Sequence, residues 1–430
     1  MSDSPVTHSP FLESWESPFD DAAGRLDDEV VRIRRHLHAH PEPSGEEVET
    51  TNFVQRRLNA AGIASRRCVS DEGREVGLIA DVTVGEPRSE TPLVALRCDM
   101  DALRMPDQKQ VEYRSQNDGV THACGHDAHT AIVLGSACAA AQLNGAAPRR
   151  PGDAAGLRLR WLFQPAEETS GGARWLVDQG AMEGVDYVLG LHVDPERRVG
   201  EVGVRYGVLT ANCDEVTITL SGHGGHSARP HHTLDPVAAA AQLIQALYSQ
   251  LPRSIDSRDA SVFSVGRITG GYAPNVIPET VELQGSLRST ANSARTTLKL
   301  RIREICDGVA QASGVRIALD FAEPLNAVEN DREVAAALET ASRRVLGNRG
   351  VQLIDRPSLG GEDFSVYLDY APGALLRLGC AVPETRAPFL HSPLFDLDER
   401  CLSIGMRILF RAAVLLSRVR EPDESFGEGI

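Results

Sequence analysis

The chain has 430 residues, 42% hydrophobic and 24% charged, and its 44 basic against 60 acidic residues give a net charge of −16. That balance excludes nucleic acid or an anionic membrane as a partner recruited by charge. The length exceeds one ordinary core and predicts two domains, and no apolar run approaches the ~20 residues of a membrane-spanning helix.

Residues 1–28 are acidic and carry Pro5, Pro10 and Pro18. They lack the basic start and apolar run of a signal peptide and read as a flexible tail. The eight cysteines show no CxxC spacing, which fits reduced thiols in a cytoplasm better than a disulfide framework. Val30, Ile33 and Leu37 recur at helical spacing over Asp27–His38, and Glu46–Ala61 reads as a second helix stopped by Gly62. Val76–Val84 and Leu93–Cys98 then read as strands. Helix Thr130–Leu143, strand Leu157–Phe163, helix Ala173–Gln179 and strand Tyr187–His192 continue the alternation. This order predicts an α/β domain with a mostly parallel sheet and helices on both faces.

Near Cys213 the texture changes. A strand at Glu215–Leu220, a helix at Pro236–Leu251, two strands flanking Gly270-Gly271, a helix at Thr296–Ser313 and a strand at Val315–Phe321 predict an α+β unit with an antiparallel sheet. The α/β alternation resumes after about Glu323. The expectation is therefore an α/β domain of residues 29–212 and 324–430, interrupted by an inserted α+β domain at 213–323.

The candidate chemistry lies at or just after the strands of the first part, where open α/β sheets place their sites. Residues 122–129 read His-Ala-Cys-Gly-His-Asp-Ala-His. Cys124 and His126 flank Gly125, which lets a loop bring both side chains toward one point. Glu167 and Glu168 follow a strand and Pro165-Ala166, and His192 ends another strand. Thiolate, imidazole and carboxylate bind divalent transition metals, and a neighbouring Glu can serve as general base. These ligand types suit Zn²⁺, Mn²⁺, Co²⁺ and Ni²⁺ alike. Asp99 and Asp101 point the same way if their strand continues, and a carboxylate behind a ligating His fixes its tautomer. His36, His38 and His40 alternate with Leu37 and Ala39 along a helix end, so they are not expected to share one face and read as structural; His231 and His232 read as solvated.

The motifs resemble the M20 metallopeptidase and aminoacylase family, in the amidohydrolase branch that includes hippurate and auxin-conjugate hydrolases. They are Arg35-His36-Leu37-His38-Ala39-His40-Pro41-Glu42, Arg97 to Leu103, His122 to His129, Phe163 to Glu168, Gly222 to Pro230, Pro274 to Pro278, Gly361 to Phe364 and His391-Ser392-Pro393. They run in order over about residues 30–410. The resemblance implies two divalent ions, with Cys124 bridging and His126, Glu168, His192 and His391 completing the ligand set. The ions would share a hydroxide, with Glu167 as general base and Asp101 as supporting carboxylate. The resemblance makes 29–212 and 324–430 the metal-binding catalytic domain and the inserted 213–323 segment the family's lid domain. In that lid, His226 corresponds to a histidine that contacts the oxyanion, often from a partner subunit. Asn275 and Arg288 match substrate-binding positions, and the lid makes a homodimer reasonable.

The function expected is cleavage of the amide bond of small N-acyl amino acids. The rivals are a dipeptidase or aminopeptidase of the same fold and a non-catalytic metal-bound scaffold. The acyl group stays open at this level: acetyl, benzoyl, indole-acetyl, acyl-diaminopimelate and aminobenzoyl-glutamate substrates all suit the branch.

Overall fold

In the computed structural model of the chain, residues 10–143, 156–381 and 389–418 are described. They divide into two compact units. The first comprises residues up to Gly207 together with Glu329–Asp355 and the chain from Val366 onward. Its elements begin with helices α1 (Pro10–Ala39) and α2 (Val48–Ala60) and strands β1 (Ser65–Val69), β2 (Glu75–Gly85) and β3 (Leu93–Asp99). Then come α3 (His126–Ala141), β4 (Gly156–Gln164), α4 (Gly172–Asp178), β5 (Tyr187–Arg198) and β6 (Val202–Val204).

The sheet has eight strands in the order β1-β2-β4-β3-β5, Gly373–Ala381, β6, Val351–Leu353. Its centre, from β4 through β3 and β5 to Gly373–Ala381, is parallel, and antiparallel pairings lie outside it. Every residue of β3 is buried, as a strand covered on both faces requires. Helix α1 packs against α3 and the helix Arg400–Leu416, which also packs against the helix Arg332–Leu346. The main apolar cluster joins these helices to Leu157, Leu159, Trp161 and Phe163 of β4.

The start of α1 corrects the reading of residues 1–28 as a flexible tail; residues 1–9 lie outside the described part. From Pro10 the chain is helical, and Leu12, Trp15, Phe19, Ala22 and Ala23 are buried. Phe19 stacks on Phe410 at 3.8 Å between ring centroids. The acidity is matched by partners: Glu16 pairs with Arg344 and Arg411, and Asp20 with Arg411. An apolar stripe plus paired charges outweighs the interior Pro18.

The second unit comprises Val208–Val328 and Arg356–Ser365. Its antiparallel sheet runs Ser261–Gly270, Thr280–Ser289, Asn212–Ser221, Arg316–Phe321. Val216, Ile218, Leu220 and Leu283 of the sheet share an apolar cluster with Leu243 and Leu247 of the helix Pro236–Gln250 and Leu298 and Ile302 of the helix Asn292–Ser313. The unit is wider than the expected 213–323 segment and gains a separate piece for a backbone reason. The N–H of Leu209 donates to Val328 O, that of Ser358 to Leu209 O and that of Ala211 to Gly360 O. Among the described residues no helix is long and apolar enough to cross a membrane, and all eight cysteines are unpaired.

Candidate active site

Residues predicted far apart in sequence converge in the first unit. Ligand atoms of Cys124, His126 and His192 lie within 4.8 Å of one another, as do those of Cys124, Glu168 and His391, and of His126, Glu167 and Glu168. Cys124 is common to the first two sets, and His126 and Glu168 link them through the third.

The local geometry follows from the backbone. Gly125 adopts φ 87°, and a Cβ there would meet Val193 Cγ2 at 2.4 Å, so only glycine lets the loop pass β5. His126 is not on that loop, as the sequence suggested, but opens α3. Ala166 and His391 also sit at positive φ, 52° and 61°, which is uncommon for residues with a Cβ and typical of over-determined functional turns. The His391 N–H is tied to Ala123 O at 2.8 Å, which brings the far C-terminal segment to the cysteine loop.

The imidazoles of His126, His192 and His129 are each oriented by a second group. Nδ1 of His126 donates to Asp101 Oδ1 at 3.0 Å, leaving Nε2 buried without a hydrogen-bond partner. Nδ1 of His192 donates to Val193 O at 2.7 Å, and its Nε2 lies 3.5 Å from Cys124 Sγ. His129 donates from Nδ1 to Asp99 Oδ1 at 2.6 Å, and its Nε2 accepts the Val193 N–H. Asp99 and Asp101 therefore serve different histidines. The strand ends at Asp99, two residues before Asp101. Asp101 also accepts the N–H of Glu168 at 3.0 Å and the hydroxyl of Ser44 at 2.6 Å. Glu167 Oε2 lies 3.9 Å from His126 Nε2, and Glu168 Oε1 lies 3.3 Å from His391 Nε2.

The electrostatics fit a cation. Burial pushes the Cys124 thiol up to about 12, so a thiolate there needs a positive ion beside it. Burial holds His192 well below its usual value, neutral and able to donate a lone pair. Burial acts on His126 in the same sense, but Asp99, Cys124 and Asp101 outweigh it and raise the ring well above its ordinary value. The cluster thus attracts positive charge, and a cation that took the place of the proton on the unpartnered Nε2 of His126 would meet its lone pair. The thiol, imidazole and carboxylate donors fit divalent ions, and Cys124 belongs to two of the donor sets.

A family model described as peptidase family M20/M25/M40 matches residues 95–414. The chain belongs to that family. It is accordingly a metal-dependent hydrolase of amide bonds. It is 40% identical over 385 residues to a probable hydrolase of Synechocystis, covering 89% of this chain and 94% of the relative. It is 35% identical over 387 residues to an N-acetylcysteine deacetylase of Bacillus subtilis, covering 90% and 96%. Among solved structures, a dinuclear metal-binding M20 peptidase of Bacillus subtilis superposes with a TM-score of 0.76 at 32% identity, covering 92% of this chain and 99% of that one.

The remaining predicted residues lie in the second unit. His226 pairs with Val276 across two short antiparallel strands, and Ser227 N–H donates to Asn275 O, so His226 and Asn275 are neighbours and both are exposed. Arg288 lies on the strand Thr280–Ser289, and its Nη1 donates to Leu359 O at 2.9 Å.

The sequence reading missed a supporting layer. Asp127 is fully buried, receiving Arg34 Nε at 2.9 Å and His38 Nδ1 at 2.6 Å, so α1 locks the start of α3. His38 is thus structural, as expected. His36 and His40, however, do share a face: their ring centroids are 4.5 Å apart. Their i, i+4 spacing was the available signal.

Proposed function

We propose that this hydrolase cleaves the amide bond of N-acyl amino acids to a carboxylic acid and a free amino acid. The observation that carries the reading is the sharing of Cys124 between two donor sets with Glu167 alongside. Cys124, His126, Glu168, His192 and His391 would hold two divalent ions, of Mn, Zn, Co or Ni. When bound, the pair supplies Lewis acidity to the amide carbonyl and to water. Glu167 takes the proton of the attacking water and returns it to the departing amine. Asp101 keeps the proton of His126 on Nδ1, so that Nε2 presents a lone pair.

His226 contributes a polar contact to the oxyanion, from its own chain or from a partner subunit. Asn275 and Arg288 bind the amino-acid portion, the planar guanidinium suiting a carboxylate. A homodimer through the second unit is part of the proposal; the outer strand Ser261–Gly270 offers an unpaired edge. The unpaired cysteines favour a cytoplasmic location.

The test is amine release from N-acetyl-L-cysteine, other N-acetyl, benzoyl and indole-acetyl amino acids, and dipeptides, with Mn²⁺ or Zn²⁺ and with chelator. Chelator-sensitive cleavage of acyl amino acids is expected. Cleavage of dipeptides alone would replace this reading by the peptidase one.

A further inference from the structure

Glu47 immediately precedes α2 but makes no side-chain cap for that helix. It is fully buried, and its carboxyl is turned instead toward the turn that follows β4. Oε1 accepts the N–H of Gly45 at 3.0 Å and the N–H of Ala166 at 2.7 Å. Ala166 is the residue at φ 52°, a conformation disfavoured whenever a Cβ is present. The turn is wound tightly around it. The Ala166 carbonyl accepts the N–H groups of Gly171 and Gly172, each at 3.2 Å, and Ser170 N–H donates to Glu167 O at 2.8 Å. Gly172 sits so close that a Cβ would fall 1.5 Å from Pro165 O. Glu167 and Glu168 are the next residues along this turn. Their direction depends on Ala166 staying where it is.

We propose that Glu47 is a positioning residue which holds the left-handed turn at Ala166 and so aims Glu167 and Glu168 at the donor cluster. Its carboxyl acts through backbone N–H groups, those of Gly45 and Ala166. Together with Ser44, whose hydroxyl binds Asp101, it makes the segment 44–47 a brace for the site from outside the family motifs quoted above. Burial and the neighbouring Asp101 carboxylate push the Glu47 carboxyl up to about 8, so a neutral group serves at this position. A primary amide, which keeps the accepting oxygen, should therefore replace it.

The inference rests on Glu167 being the base and Glu168 a ligand, and the experiment separates the two ideas. Full-length wild type, Glu47→Gln, Glu47→Met, Glu47→Ala and Glu167→Gln are compared in two assays. One is N-acetyl-L-cysteine turnover per folded molecule with Mn²⁺. The other is Mn²⁺ affinity of the metal-free proteins by chelator competition. Glu47→Met keeps length and apolar burial without the acceptor, in case the alanine variant does not fold.

Glu47→Met is expected to lose roughly 30-fold in kcat with KM little changed, and to bind Mn²⁺ about 10-fold more weakly, as for other groups that orient ligands. Glu47→Gln should stay within about 3-fold of wild type in both assays, the margin left by an intact acceptor. Wild-type kcat and Mn²⁺ affinity in Glu47→Met would overturn the proposal. So would a Glu47→Gln as damaged as Glu47→Met, since the accepting oxygen would then not be what matters. An active Glu167→Gln would sink the assignment of the base, while the Mn²⁺ affinities would still decide whether Glu47 holds Glu168.

Discussion

The candidate residues of the two units are held in opposite ways. In the first unit Cys124, His126 and His192 are buried, and each imidazole has its free nitrogen selected by a bond at the other: Asp101 for His126, the Val193 carbonyl for His192. In the second, His226 lies on a two-stranded ribbon, Asn275 immediately precedes its partner strand, and both are exposed. A metal site demands fixed donors in a desolvated place, because a thiolate and neutral imidazoles form there only if the surroundings set their protonation. Residues that meet substrate need no such enclosure. The comparison predicts that damage in the first unit shows as lost metal or lost fold, and damage in the second as lost turnover alone.

The largest effects should come from the donor cluster. Cys124→Ala removes the thiol common to two donor sets and is expected to lose both metal content and activity, read by metal analysis of the purified protein. Glu167→Gln should keep its metal and lose roughly 10²–10⁴-fold in kcat, the span of a general base. Retained metal in Cys124→Ala would break the comparison at its centre. The layer behind the site comes next. Arg34 and Asp127 have fully buried side chains in direct contact, so Arg34→Met leaves a buried carboxylate without its cation. The cost is about 3–5 kcal/mol, visible as a fall in thermal midpoint that added Mn²⁺ only partly restores.

The donor cluster was legible in the sequence because metal chemistry restricts residue types so tightly that Cys124, His126, Glu167, Glu168 and His192 stand out by identity and position. The layer behind was not. Arg34, Ser44, Glu47 and Asp127 are ordinary polar residues whose role exists only through partners far along the chain, such as Ala166 for Glu47. The alternation of helices and strands gave away the mainly parallel sheet, since burial on both faces forces continuous apolar runs such as Leu93–Leu96. The first helix was obscured for the opposite reason. Its acidic residues and Pro18 read as solvated chain until Arg344 and Arg411 are seen across from Glu16. Boundaries of the second unit were missed because they are set by backbone bonds such as Ser358 N–H to Leu209 O, which no side-chain pattern records.

On the exposed side of the comparison, His226→Ala should leave metal content and thermal midpoint at wild-type values and lower kcat by about 10²-fold, the effect of losing one oxyanion contact. Asn275→Ala should act in the same direction and more weakly, chiefly through KM. Loss of metal in His226→Ala would show that the two units do not divide the work as argued.

The second unit also contains buried carboxylates, and one of them, Asp214, sets the smallest effect. Asp214 on the strand Asn212–Ser221 receives Arg295 at 2.7 and 3.0 Å and Lys299 at 2.9 Å. Burial alone would raise its carboxyl, but the two cations win and hold it below the usual carboxylate value. A carboxyl depressed by folding adds stability that is complete above its unfolded pKa and disappears as pH falls through the lower folded value. Asp214→Asn should therefore be less stable than wild type by ~1–2 kcal/mol near neutrality, the range for bonds to a charged group. The gap should begin to close below about pH 4, where the unfolded carboxyl takes up its proton, and vanish below the lower folded value. Denaturant unfolding of both proteins across that range checks it. A gap that persists unchanged in acid would mean that Asp214 acts through packing, and that charge contributes to the second unit as little as its exposed histidines suggest.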